Sequence, residues 1–287
     1  MKSRLLRKPE FRNVSGKLKK QKVPGTCTSG TRYLLLLDFF EALSFLTIIP
    51  LTPTLSPQGR GQGEGRLARA MIFFPLVGFL IGCLSWTCYE IIRSVLPENA
   101  ACLIALVFLP IFFSGGLHAD GFADFCDGFF GGSKREDILR IMKDSRIGAF
   151  GALGLLFLIL LKFELLKVFA FKYSFFILAM TASRWAQVAF SFYLPYAGPE
   201  GGLGAATAGK VSLRELAGAT LTLILVAASI GVSGFETLVV LLPLLAALGI
   251  FFKRKIGGVT GDLLGASSEM TELIVLITGI CLTGKLR

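Results

Sequence analysis

Residues Ser114-Gly-Gly-Leu-His-Ala-Asp-Gly-Phe-Ala-Asp-Phe-Cys-Asp-Gly128 place three carboxylates and the only histidine of the chain directly after an apolar run. Asp120, Asp124 and Asp127 stand at positions i, i+4 and i+7, so on a helix they share one face about one turn apart. Three like charges at that spacing repel one another. The pattern predicts either a bound hard cation such as Mg²⁺ or a carboxyl group that holds a proton.

The composition around this stretch is that of a membrane protein. Of the 287 residues, 53% are hydrophobic and 17% are charged, and the mean hydropathy is +0.69. A soluble domain of this length does not need so much apolar surface. The sequence therefore predicts an all-α fold, a polytopic integral membrane bundle.

The net charge of +11 belongs mainly to the N-terminal tail. Residues 1–32 contain ten Lys or Arg residues and a single acid, a net charge of +9, which leaves +2 for the rest of the chain. A basic tail ahead of a membrane segment is typical of a cytoplasmic flank that contacts anionic lipid, and we favour the lipid bilayer over nucleic acid as its partner. We predict a basic, disordered tail at 1–32 and a single membrane-embedded domain at 33–287.

Seven apolar segments are candidates for transmembrane helices, at about residues 69–94, 99–114, 148–171, 174–194, 214–232, 235–252 and 263–284. The segment 33–50 is shorter and contains Asp38 and Glu41, so it predicts an N-terminal interfacial or re-entrant helix. Residues 51–68, rich in Pro, Gly, Gln and Arg, predict a flexible loop. Ser133 and Glu136 have the spacing of a capping box at the start of an amphipathic helix.

The positive-inside rule gives this arrangement an orientation. If the tail is cytoplasmic and the segment 33–50 does not cross, the basic loops around Lys134, Arg135 and 253–255 lie on the cytoplasmic side. Lys167 and Lys172 then lie on the opposite side, against the rule. The glycine-rich acidic breaks all gather on the cytoplasmic face.

The acidic stretch is the first candidate site on that face. Asp120, Asp124 and Asp127 offer hard oxygen ligands suited to Mg²⁺, which keeps some of its waters and shares its shell with a substrate phosphate. The alternative is a set of interfacial acids that cap helices and are solvated by water. His118 is either a general base or a hydrogen-bonded neighbour of the site, and the sequence favours neither.

Lys143, Asp144 and Arg146 form a second candidate at the start of the next span. The two cations are donors of the kind that bind phosphate, and Asp144 is a candidate fourth ligand. A surface ion pair at the membrane boundary explains the same residues equally well.

Two further features complete the set. In Gly257-Gly-Val-Thr-Gly-Asp262, the backbone of Gly257 and Gly258 can approach a phosphate closely, with Thr260 and Asp262 supplying oxygens; a tight turn between helices is the alternative. Arg184 lies inside an apolar segment, where an arginine faces the bundle interior and pairs with an anion of the protein or of a ligand.

Three of these stretches resemble the cobalamin synthase family, adenosylcobinamide-GDP ribazoletransferase. They are Ser114–Gly128, Ile141-Met-Lys-Asp-Ser-Arg-Ile-Gly-Ala-Phe-Gly151 and Gly257-Gly-Val-Thr-Gly-Asp-Leu-Leu-Gly-Ala266. They stand in family order, and the resemblance extends from about residue 39 to the C-terminus. The tail to about Leu37 and the stretch near 54–66 depart from the family pattern.

The resemblance implies a Mg²⁺-dependent membrane enzyme of the bacterial cytoplasmic membrane. It would join adenosylcobinamide-GDP to α-ribazole or its 5′-phosphate and release GMP, with residues 33–287 as the catalytic domain. The hypothesis assigns Asp120, Asp124 and Asp127 to Mg²⁺ and the pyrophosphate, with Asp144 and Asp262 as further ligands or base. Lys143, Arg146 and Arg184 would stabilise phosphate oxygens. Whether the chain forms a homo-oligomer stays open.

Two other functions compete with this assignment. A membrane alcohol phosphotransferase also uses clustered aspartates and a metal, but its D-G-x-x-A-R start is not matched here. A cation transporter would place acids in mid-span at related positions of two repeats. The acids singled out above instead cluster at the ends of spans.

Overall fold

A computed structural model describes residues 28–51, 60–168, 173–198 and 203–284. Within these ranges the chain is helical, without strands; a single parallel bridge joins Tyr196 to Val259. Residues 1–27 of the predicted tail 1–32 lie outside the described residues, so their disorder and lipid contact remain predictions, whereas residues 28–32 already belong to the first helix. The predicted all-α membrane bundle is confirmed.

The helices follow one another through short connections. In chain order they are α1 (Thr28–Leu46), α2 (Arg60–Ala70), a 3₁₀ turn (Met71–Phe73), α3 (Phe74–Ile92), α4 (Glu98–Ala101), a π-helical stretch (Cys102–Phe108), α5 (Leu109–Phe113), α6 (Leu117–Gly131), α7 (Arg135–Ile141), α8 (Ala149–Val168), α9 (Tyr173–Tyr193), a 3₁₀ turn (Leu203–Ala206), α10 (Leu213–Ile230), α11 (Val232–Ile256) and α12 (Gly261–Gly284).

Six helices of the described chain are long and apolar enough to cross a membrane: 65–92, α8, α9, α10, α11 and α12. A seventh candidate is the pair Glu98–Phe113 and Leu117–Gly131, which is bent by 86°. The bend falls at Gly115 and Gly116, whose positive φ angles of 59° and 75° suit glycine best. The acidic stretch therefore begins at a sharp bend of the chain. If the bent pair counts as one span, the described chain has seven candidate spans, as the sequence predicts.

The centre of the bundle is formed by α9 and α12, which pack against each other. In the most apolar window of α9, 89% of residues are buried inside the protein, and in that of α12 72% are buried. The corresponding shares for α8, α10 and α11 are only 22%, 33% and 28%. The outer helices thus present their apolar side chains to lipid, while the central pair holds the polar residues of the interior.

The N-terminal helix α1 is not among the described helices that qualify as spans, in agreement with the predicted interfacial helix. It is held by ion pairs to α2, with Arg66 3.1 Å from Glu41 and Arg69 3.4 Å from Asp38. Burial raises the pKa of Glu41 although the guanidinium of Arg66 opposes this. Ion pairs from α2 thus compensate the two acids of α1.

Two local predictions differ from the structure. The helix α2 begins at Arg60, within the stretch 51–68 that we expected to be a loop, and residues 52–59 lie outside the described ranges. The capping box at Ser133 is wrong: α7 begins at Arg135 with Lys134 as its N-cap, and no side chain caps it. Because the helix starts later than expected, Glu136 is out of register with Ser133.

Candidate active site

A cleft of about 190 Å³ lies where α6, α7 and the start of α12 meet. Its wall includes residues from each of the three stretches singled out in the sequence: Leu117 and His118, Met142 and Lys143, and Thr260, Gly261 and Asp262. Phe45, Phe74, Gln187 and Tyr196 complete much of the remaining wall. The arrangement joins an apolar lining to a small number of polar groups, as ligand sites in proteins do.

The acidic face of α6 is aimed towards the start of α12. Gly121 makes this possible, since a Cβ at that position would lie 3.0 Å from the Cα of Asp262. The charges of Asp262, Asp120 and Asp127 all act on Asp124. The side chain of Asp120 is exposed and those of Asp124 and Asp262 are half-buried. The fold therefore brings Asp262, distant in sequence, to the carboxylates of α6.

Asp127 is the member of the acidic stretch that differs. It is buried, and its carboxylate accepts hydrogen bonds from the backbone N–H of Gly148 at 2.7 Å and of Gly151 at 2.8 Å. A Cβ on either glycine would collide with that carboxylate. Asp127 thus caps the N-terminus of α8, where unpaired N–H groups favour a negative charge. The structure gives it this structural role, and its role as a metal ligand stays a prediction.

The second candidate stretch divides between the cleft and the surface. Lys143 lines the cleft. Asp144 and Arg146 instead pair with each other at 2.7 Å, and the side chain of Arg146 is 86% exposed. Hydrogen bonds from Arg146 lower the pKa of Asp144 to about 2. The alternative of a surface ion pair describes these two residues, and neither lines the cleft.

The third stretch forms the turn between α11 and α12 and places the first residues of α12 at the cleft. Gly257, with φ of 87°, ends α11, and Gly258 lies so close to the carbonyl of Pro195 that a side chain would clash. The N–H of Val259 donates to that carbonyl at 2.9 Å. The two glycines thus serve backbone packing, and their contact with phosphate stays a prediction.

Thr260 and Asp262 stand at the start of α12 and do face the cleft. The hydroxyl of Thr260 accepts a hydrogen bond from the N–H of Leu263 at 3.2 Å, as an N-cap does. The N-terminal end of a 24-residue helix is thereby aimed into the cleft. Such an end attracts anions through its free N–H groups and its dipole.

Arg184 is 2% exposed and belongs to a buried charge network that the sequence analysis missed. Its guanidinium donates to the hydroxyl of Ser268 and lies 3.7 Å from Glu272. Lys162 on α8 binds both Glu269 and Glu272 on α12. An acid of the protein is one of the two partners expected for Arg184, and its contact with a substrate phosphate stays a prediction. Charged residues in mid-span, with two acids at i and i+3, were the signal for this network.

His118 is a buried residue in the wall of the cleft. It is 3% exposed, lines the cleft, and its Nδ1 lies 3.4 Å from Nε2 of Gln187. Its Nε2 is buried and has no hydrogen-bond partner among the described residues. A nitrogen left unpaired at a cleft wall is free to bond to a ligand. Both predicted roles, base and hydrogen-bonded neighbour, fit this position.

Tyr196 is a cleft residue that the sequence analysis did not single out. It lies in the connection after α9, which pairs with the turn before α12, and burial and the charge of Asp262 raise its pKa. Only the tertiary contact between the two connections places this phenol beside the start of α12. Nothing in its local sequence distinguishes it from an interfacial tyrosine.

No three or more His, Cys, Asp or Glu side chains in the described parts of the chain are arranged as a ready-made metal site. Asp262 lines the cleft, whereas Asp120 and Asp124 lie beside it on α6 and are not part of its wall. We call these three residues the acids of the cleft face. None of the ion pairs in the described parts includes any of them. The charges of these three acids are therefore not compensated by a cation of the described chain.

Comparisons with known proteins agree with these motifs. The family model of CobS, cobalamin-5-phosphate synthase, matches residues 38–280. Adenosylcobinamide-GDP ribazoletransferase of Chlorobium phaeobacteroides is 37% identical over 254 residues, covering 84% of this chain and 96% of the relative. The enzyme of the same name from Desulforamulus reducens is 40% identical, covering 82% and 92%. That of Escherichia coli K12 is 34% identical, covering 83% and 97%. No solved structure matches the chain. The chain belongs to the cobalamin-5-phosphate synthase (CobS) family.

Proposed function

We propose that the cleft between α6, α7 and α12 is the site where this enzyme joins its two substrates. The chain is an adenosylcobinamide-GDP ribazoletransferase, the cobalamin synthase of vitamin B12 biosynthesis. In that reaction a ribose hydroxyl that is free in both α-ribazole and its 5′-phosphate attacks the pyrophosphate phosphorus that carries adenosylcobinamide, and GMP leaves. The observation that carries the proposal is that three stretches far apart in sequence line one cleft.

The polar residues of the cleft suit a pyrophosphate substrate. Lys143 is a flexible cation, and the start of α12 at Thr260 and Gly261 offers backbone N–H groups to phosphate oxygens. Phosphoryl transfer depends mainly on positioning and on stabilising the charge that develops on those oxygens. We assign Lys143 and the α12 N-terminus to that task. His118, whose Nε2 is unpaired, would receive the proton of the attacking hydroxyl or bond to it.

The acids of the cleft face fit Mg²⁺ by their chemistry. Asp120, Asp124 and Asp262 are hard oxygen donors without a cationic partner in the described chain, and they lie close enough for their charges to interact. Mg²⁺ is usually held by one or two carboxylates together with waters and substrate phosphates, so a closed protein cage is not required. When bound, the ion would neutralise negative charge on the pyrophosphate.

We further infer that the cleft opens to the cytoplasm. The end of the bundle that carries it also carries Lys134, Arg135 and the basic residues 253–255, and cytoplasmic loops are enriched in such residues. The predicted exception remains, since Lys167 at the end of α8 lies at the opposite end of the bundle. A labelling experiment with a membrane-impermeant maleimide on Ser145→Cys, in cysteine-free protein, would test the orientation in inverted and right-side-out vesicles.

The activity test uses the full chain in proteoliposomes with adenosylcobinamide-GDP, α-ribazole and Mg²⁺, and measures GMP release. We expect turnover that depends on Mg²⁺ and is abolished by EDTA. Asp262→Asn should lower turnover about a hundredfold, the scale of losing one major electrostatic group from an active site. Asp137→Asn, which removes a carboxylate paired with Arg140 on the surface of α7, is the matched control. Equal activity of the two variants would refute the proposed site.

A further inference from the structure

A separate groove of about 540 Å³ runs along the outside of the bundle between α9, α10 and α11. It starts in the middle of these helices, at Trp185 and Leu242, and ends at Lys253. Lys253 lies in the last turn of α11, on the side of the bundle that also carries the cleft. No residue of the groove lines the cleft, so the groove is a concavity separate from the cleft.

The depth of the groove matches one leaflet of a bilayer. The stretch of α11 from Leu242 to Lys253 is about 16 Å long at 1.5 Å per residue. Half of a hydrocarbon core of about 30 Å is about 15 Å. The groove therefore reaches from the membrane surface to near the middle of the bilayer.

The deep part of the groove is suited to a hydrocarbon chain. Its walls include small residues, among them Ala189, Ala246 and Gly249, which leave room for a chain between the helices. Trp185 is the polar side chain at the deep end, and its Nε1–H already donates to the hydroxyl of Thr220 at 2.9 Å. A chain lying there would meet apolar surface and no unsatisfied polar group.

The mouth of the groove is positively charged. Lys253 lines it and has no ion pair within the described chain. Arg254 and Lys255 follow and are exposed, and Tyr193, 69% exposed, stands at the same end of α9. Aromatic and basic residues at such a level are typical of the headgroup region. Basic pockets between membrane helices bind anionic lipid headgroups.

We propose that this groove is a binding site for one anionic phospholipid of the leaflet on the cleft side. One acyl chain lies between α9 and α11, and the phosphate pairs with Lys253. The charge of Lys253 and the leaflet-deep apolar groove select this occupant over a soluble anion, which could not fill the groove. The inference does not depend on the proposed function, because it uses none of the cleft residues.

The test is native mass spectrometry of the full chain released from nanodiscs that contain equal amounts of phosphatidylglycerol and phosphatidylcholine with the same acyl chains. We expect one retained lipid, with phosphatidylglycerol favoured about fivefold, the preference expected from one basic residue at the membrane surface. Lys253→Ala should remove the preference. Lys255→Ala removes the same charge from a residue that does not line the groove, and should keep it.

A second pair of variants tests the acyl chain itself. Ala246→Phe fills the groove from an exposed position and should reduce retention of both lipids, whereas Ala247→Phe, one residue along the same helix, should not. Equal retention of the two lipids by the unaltered chain would overturn the proposal. So would an equal loss of preference in the Lys253→Ala and Lys255→Ala variants, or displacement of the lipid by adenosylcobinamide-GDP at concentrations that saturate turnover.

Discussion

The helix α12 carries two groups of acids that the protein treats in opposite ways. At its start, Asp262 joins Asp120 and Asp124 of α6 without a cation from the described chain. About 10 Å deeper, at 1.5 Å per residue, Glu269 and Glu272 are bound by Lys162 and approached by Arg184. The deep acids are compensated by the protein, and the acids of the cleft face are not.

The difference follows from the cost of charge at each depth. A buried carboxylate without a partner is expensive, so the deep glutamates persist only with their cations. At the edge of the bundle water reduces that cost, so acids there can stay charged without a cationic partner from the protein. The paired group therefore holds helices together, whereas the acids of the cleft face make no ion pair between helices of the described chain.

The largest effect should come from breaking the deep group. Lys162→Met leaves Glu269 and Glu272 with only Arg184, so we expect a loss of about 3–5 kcal/mol in the free energy of unfolding. Unfolding in detergent, followed by circular dichroism, measures it. The double variant Lys162→Met with Glu269→Gln restores the charge balance and should recover much of the stability. A single variant as stable as the unaltered protein would contradict the structural role of the network.

The second effect separates the cleft face from the deep group. Asp124→Asn removes a carboxylate of the proposed site, so we expect turnover to fall about a hundredfold. Because neighbouring acids repel that carboxylate, thermal stability should be unchanged or higher. GMP release in proteoliposomes and thermal unfolding of the same sample give the two values. Normal Mg²⁺-dependent turnover in this variant would show that Asp124 is not part of the site.

Asp127 lies on the same helix face and should nevertheless behave differently. In Asp127→Asn a single acceptor oxygen replaces two, and the amide N–H₂ faces a backbone donor, so the cap of α8 is lost at a cost of about 1–2 kcal/mol. The Mg²⁺ concentration for half-maximal turnover should stay within about twofold of that of the unaltered enzyme. A strong rise in that concentration without loss of stability would return Asp127 to the metal ligands.

The smallest effects should distinguish two cations of one motif. Lys143 lines the cleft and Arg146 pairs with Asp144 on the surface. We expect Lys143→Ala to lower kcat/KM for adenosylcobinamide-GDP about tenfold, and Arg146→Ala to lower it less, since Arg146 is exposed, pairs with Asp144 and does not line the cleft. Steady-state kinetics with both variants tests the order. The reverse order would mean that the loop 143–148 closes on the substrate.

Most of the membrane topology could be predicted because the apolar runs are long. The spans at 174–194 and 263–284 agree with α9 and α12 to within two residues. The sequence predicted that the three motifs lie on the same side of the membrane, because an even number of spans separates them. The local predictions failed where one residue of register decided the outcome, as at Ser133, or where a helix formed without apolar periodicity, as at Arg60.

Sequence alone determined that this chain is a helical membrane protein and to which family it is similar, because hydrophobicity and motif spacing are local properties. Only the tertiary structure decided the role of each polar residue. Asp127 is a helix cap because α8 starts beside it, Arg184 is held inside because Glu272 faces it, and Asp262 joins the acids of α6 because Gly121 lets two helices meet. The physical reason is that a charge acquires its role from its partner and its depth, and both are set by how the helices pack.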